Sequence, residues 1–144
     1  MWKMSKYKNI YQSAQFTTMD SKKRITLPEK VCEMLDIKEG TKFLVVADKS
    51  KSKITLYPII MGEDKFAELY MKLRDIPGVL GKVATELGKM NINIESSIVT
   101  PSVEKISDFN AIINCKNCKL PLVEVEEKLK KLENTIEVEI TPVE

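Results

Sequence analysis

The sequence contains no histidine and only three cysteines. Without imidazole there is no His-based general acid–base pair, no Ser-His or Cys-His nucleophile, and few routes to a zinc site. A small, odd number of thiols argues against a disulfide framework and for a reduced, cytoplasmic compartment. No apolar run approaches the roughly 20 residues needed to cross a bilayer. The opening stretch MWKMSKYKNIYQSAQ has neither the apolar centre nor the small-residue cleavage site of a secretory signal. The phosphate-cradling spacings GxxxxGK and GxGxxG are missing as well. The expectation is a non-enzymatic protein without a cofactor and without a membrane partner.

What is present is a chain of 144 residues, 43% apolar and 31% charged. That is the balance of a globular protein with room for one ordinary domain or two small ones. The net charge of +2 conceals an asymmetry: residues 1–60 carry 12 Lys and Arg against 6 Asp and Glu (+6), whereas residues 61–144 carry 11 against 15 (−4). A basic first segment suits a polyanion as well as it suits a lysine-coated surface.

The two segments also follow different patterns. In the first, FTTMD and RITL read as short strands around the polar turn SKK. Pro28 opens a short helix carrying Val31, Met34 and Leu35, and Gly40 ends the turn DIKEG at a position that wants a positive φ. TKFLVVAD and SKITLYPI are two further strands. This β-β-α-β-β unit, residues 16–60, is too small to bury a core alone, so a second copy is expected to complete it. In the second segment, residues 66–143, Ala67, Leu69, Met71 and Leu73 alternate with polar residues. Val79, Leu80, Val83, Ala84, Leu87 and Met90 form a helical stripe. Ile92, Ile94, Ser96 and Ile98 return to period two, and ISDFNAIINC follows the turn TPSVEK. Pro121 opens a helix with Val125, Leu129 and Leu132 on one face, and Ile136, Val138 and Ile140 alternate with Glu137 and Glu139. The order is βαββαβ, a ferredoxin-like arrangement. A tail (1–15) and a linker (61–65) complete the division.

The stretch RDIPGVLGKVATELGKMNINI resembles the opening of an ACT domain, through Asp75, Pro77, Gly78, Leu80, Asn93 and Ile94. ACT domains are small regulatory modules that often bind amino acids, and the resemblance implies a ligand site at Asp75, Ile76, Pro77, Gly78, Val79 and Leu80. It also implies that two modules pair, so that Asn91, Asn93, Ile94 and Glu95 of one approach the loop of the other. The chemistry agrees: Gly78 leaves backbone N–H groups at a helix start open to a carboxylate, and Asp75 offers a countercharge to an ammonium group. A plain turn with Asp75 capping the helix is the alternative.

SKKRITLPEKVCEMLDIKEGTKFLVV resembles the SpoVT-AbrB or MazE swapped-hairpin family, with matches at Arg24 to Pro28, Leu35, Ile37 and Gly40. The resemblance implies an interlocked β-barrel dimer that binds double-stranded DNA, here through Lys22, Lys23 and Arg24, with the lysines of the N-terminal tail as a possible arm. The chain departs from the family pattern at Lys23 and Asp36, where glycine is usual, and at Cys32 and Glu33, where DNA-binding members often carry arginine. The single CxxC at Cys115–Cys118 reads as two free thiols at a strand end. A zinc half-site would need a second copy, and a redox pair would need a thioredoxin-like setting. The expected whole is a cytoplasmic, homo-oligomeric transcriptional regulator controlled by a small effector, an amino acid. The alternatives are a regulatory or assembly protein that acts on a partner enzyme, and an antitoxin.

Overall fold

A computed structural model describes residues 9–59 and 62–144. The tail residues Trp2, Lys3, Met4, Lys6, Tyr7 and Lys8, and position 61 of the linker, lie outside the described residues. Contacts divide the chain into two units, Met1–Gly62 and Glu63–Glu144.

The first unit contains helix α1 (Glu29–Leu35) and an antiparallel hairpin of strands β1 (Lys42–Asp48) and β2 (Lys53–Ile59). Helix α1 follows Pro28, which has no N–H to leave unpaired. It ends where Asp36 turns left-handed (φ 53°), a conformation Asp tolerates better than most residues. Gly40, with φ 90°, supplies the positive φ that its turn requires. The expected strands FTTMD and RITL do not form: residues 16–20 and 24–27 carry no strand ladder. The two arms meet through the turn and through Thr17 Oγ1, which donates to the Thr26 carbonyl at 2.9 Å. A lone two-stranded ribbon is marginal in water, and among the described residues no third strand pairs with this one. The unit buries little. Leu44 is its one buried apolar residue among those described, α1 buries none, and Phe16, Met19, Ile25, Leu35, Val45 and Ile54 are exposed.

The second unit runs through β3 (Phe66–Arg74), α2 (Val79–Lys89), β4 (Asn93–Pro101), β5 (Ile106–Asn114), α3 (Leu122–Lys130) and β6 (Thr135–Pro142). The sheet order is β4-β5-β3-β6, antiparallel throughout, the ferredoxin-like topology. Both helices cover one face, and Leu69, Met71, Leu73, Val83, Leu87, Ile113, Val125 and Leu129 are fully buried there. At the far end of α2, Asn91 adopts φ 58°; its N–H bonds to the Gly88 carbonyl and that of Ile92 to the Leu87 carbonyl. This pair of bonds is a Schellman closure with Asn in the left-handed position.

Three apolar patterns resolve differently from the sequence expectation. Leu80 and Ala84 lie outward on α2, because the line Val79, Val83, Leu87 and Met90 takes the whole contact with the sheet. In β4 the register slips between Ile94 and Ser96, leaving Glu95 as an extra residue. A bulge reverses the alternation, so Ile94 faces the helices, Ser96 and Ile98 take the other face, and Val99 returns to the helix side opposite Phe109. A second slip puts Thr135, rather than Ile136, beside Leu73 in the core; Ile136 is exposed and the Thr135 hydroxyl is buried without a partner.

The helix-free face is polar. Tyr70 donates from its hydroxyl to Asp108 Oδ1 at 2.6 Å, and this bond, reinforced by desolvation and nearby carboxylates, pushes the phenol pKa up to about 12. A raised acid pKa gives stability that is intact below the ordinary value near 10 and is lost as the pH climbs through about 12. Ultraviolet titration of the tyrosinates is therefore expected to show a late ionisation from Tyr70, and Asp108→Asn should lower the pH at which it occurs. Gly78 (φ 89°) and the helical Gly88 have nothing within 4 Å of an added Cβ, so backbone conformation alone decides the effect of alanine. Gly78→Ala is expected to cost about 1–2 kcal/mol and Gly88→Ala to add up to about 1 kcal/mol, as read by denaturant unfolding.

Candidate functional site

Beyond Arg74 the chain must turn from strand into helix, and it does so through Ile76, Pro77, Gly78 and Val79. The Val79 N–H bonds to the Ile76 carbonyl at 3.3 Å, and Gly78 has φ 89° and ψ −9°. These are the angles of a type II β-turn, with proline second and glycine third. Lys82 N–H then bonds to the Gly78 carbonyl at 3.1 Å and starts α2. No side chain caps this helix start. The N–H groups of Gly78, Leu80 and Gly81 have no backbone acceptor among the described residues. Asp75 does not cap the helix, and its carboxylate makes no bond or ion pair there.

The turn borders a cavity of about 450 Å³. Asp75, Ile76, Pro77, Gly78, Val79 and Leu80, the six loop residues expected from the sequence, all line it. The sheet contributes Leu73, Val99 and Ser107, which the sequence reading did not include. Ile76, Leu80 and Val99 stand 43–45% exposed around it, an apolar rim beside one carboxylate and three open N–H groups. Such a site is able to take a small zwitterion by both ends. Asn91, Asn93 and Ile94 are not brought to the cavity within one chain. They follow the far end of α2, about 16 Å away at 1.5 Å per residue. Asn91 closes the helix, the Asn93 amide donates to Glu95 at 3.0 Å, and Ile94 packs against the core.

The basic residues Lys22, Lys23 and Arg24 occupy one ordered turn, organised by Asp20. Asp20 Oδ1 accepts from the Lys22 and Arg24 backbone N–H groups at 2.8 and 2.9 Å, and Oδ2 accepts from Arg24 Nε at 2.9 Å. Lys23 holds φ 63° where glycine would be easiest, a strain offset by these bonds. The Arg24 bonds hold the Asp20 carboxyl below its ordinary pKa. Among the described residues only Nε of Arg24 is engaged, which leaves its two terminal amino groups available to an anion. Asp20 was missed by the sequence reading, although an Asp at the start of a polar turn is a usual organiser of backbone N–H groups.

Cys32, Cys115 and Cys118 are free thiols. Burial, then the neighbouring Cys118, pushes the Cys115 thiol pKa up. Among the described residues no three His, Cys, Asp or Glu side chains gather as a metal site, and no helix is long and apolar enough to cross a membrane.

The ACT domain family matches residues 67–134, from β3 through α3. No curated protein matches the chain in sequence. Among solved structures, the ACT domain from GTP pyrophosphokinase of Chlorobium tepidum is similar at 22% identity and a TM-score of 0.43, over 54% of this chain and 97% of that one. An ACT domain protein from Streptococcus pneumoniae aligns at 14% identity and a TM-score of 0.46, over 54% and 89% of the two chains. The C-terminal domain of the MgtC protein from Mycobacterium tuberculosis aligns at 11% and 0.48, over 60% and 95%. The unit that carries the Pro-Gly cavity thus contains an ACT domain, at residues 67–134 of this chain.

Proposed function

We propose that the protein is a DNA-binding transcriptional regulator whose ACT domain senses an amino acid. The observation that carries the effector half is the cavity, where an uncapped helix start and an Asp75 carboxylate without a partner among the described residues offer complementary contacts for a carboxylate and an ammonium group. A second copy would complete the site. β4 lies at the edge of its sheet, and pairing there would bring Asn91, Asn93 and Ile94 of that copy towards the rim of Ile76 and Leu80.

The DNA half is supported by the first unit. Its exposed apolar residues and unladdered arms call for a second copy, and a swapped-hairpin dimer would give the arms the strand neighbours they lack. The dimer would present two copies of the Lys22–Arg24 turn, already shaped by Asp20, to phosphates, with the free ends of Arg24 able to reach a guanine edge. Ligand binding would shift DNA affinity only through different affinities for two arrangements of the dimer. The hold of Asp20 on Arg24 favours a second reading, in which the turn is only structural and the ACT domain acts on a partner enzyme.

Fluorescence anisotropy with duplex DNA over a salt series separates the two. Under the regulator reading, affinity falls by about 0.9 log units per decade of salt for each phosphate contact, and Arg24→Ala both weakens binding and flattens that slope. Absence of binding at low salt supports the partner-enzyme reading. Light scattering during chromatography is expected to give a dimer or larger species, and a monomer would contradict the first-unit assembly.

A further inference from the structure

The cavity beside the Pro-Gly corner has a polar group on its floor that the loop does not supply. Ser107 lies on the helix-facing side of β5, level with Leu73 on one neighbouring strand and Pro101 on the other. Phe109, Ala111 and Ile113, the other helix-facing residues of this strand, are apolar and buried. Ser107 is only 7% exposed, and its hydroxyl has no hydrogen-bond partner among the described residues. Its oxygen is not sealed from solvent but opens on the cavity, where a bound group can reach it. Thr135, on the other flank of Leu73, makes the contrast: its hydroxyl is sealed from solvent and it does not line the cavity, whereas Ser107 does.

We infer that Ser107 is a specificity-determining residue, and that the effector is an amino acid with a short hydroxylated side chain rather than an aliphatic one. The inference rests on the reading of this cavity as the effector site. With the carboxylate at the open N–H groups of Gly78, Leu80 and Gly81, and the ammonium at Asp75, the side chain is the part that enters towards Leu73, Val99 and Ser107. Two of those are apolar and one carries a hydroxyl able to donate and accept. The matching side chain carries both carbon and a hydroxyl group. A site that hydrogen-bonds a ligand hydroxyl also rejects the analogue lacking it, because its own polar group is then left unpaired.

Threonine and valine differ by a hydroxyl in place of a methyl group, so this pair isolates the bond. Isothermal titration of the full chain with L-threonine and with L-valine is expected to give at least about tenfold tighter binding of threonine. Ser107→Ala should bring the ratio close to one by weakening threonine. Equal affinities in the unmodified protein, a preference for valine, or a ratio unchanged by Ser107→Ala would overturn the inference and leave the effector site standing. Failure of all twenty amino acids to bind would overturn the effector reading, and this inference with it. If Ser107→Ala does not fold, the ratio in the unmodified protein decides alone.

Discussion

Between Leu73, buried in the sheet, and Val79, buried at the start of α2, the chain has only residues 74–78 in which to reverse from strand to helix. The left-handed backbone of Gly78 allows that reversal, and Pro77 sets the φ before it. Because the corner is a tight turn and not a capping loop, α2 begins with N–H groups that find no acceptor among the described residues. The same turn keeps Asp75 at the edge of the cavity and lays Ile76 and Leu80 along its rim. Fold and candidate site therefore share one constraint, and the cavity is a direct consequence of how the ferredoxin-like unit closes.

The first unit follows the opposite economy. Its turns are well determined: Asp20 fastens the basic loop, Asp36 ends α1, and Gly40 turns the chain into β1. Its apolar residues are not gathered, and Val45, Ile54 and Phe16 remain in water. Local hydrogen bonds define its parts, and burial is left to whatever covers them. In the second unit, α2 and α3 supply that cover from within the chain.

Much of this was legible from residue types with a single strong preference. Gly40 announces a positive φ, Pro28 and Pro121 announce helix starts, and the alternation from Ala67 to Leu73 announces a strand with one buried face. The six loop residues that line the cavity are those implied by the resemblance of the Pro-Gly corner to the opening of an ACT domain. What escaped the sequence depends on register. Glu95 carries no mark of a bulge, yet it turns Val99 towards the cavity and Ile98 away from the core. Thr135 displaces Ile136 by a similar slip. Ser107 looks like an ordinary strand serine until its pairing with Leu73 sets it in the cavity floor. Asn91 was assigned to a ligand from its neighbourhood in the motif, and within the chain it closes α2.

The most direct test of the effector site is a two-dimensional amide spectrum of the full chain, recorded with and without a pool of the twenty amino acids. If the cavity is the site, the Gly78, Leu80, Gly81 and Ser107 amides shift together and saturably, because ligand and turn share them. A pool that leaves those four amides unmoved, or shifts only residues far from the Pro-Gly corner, would contradict it.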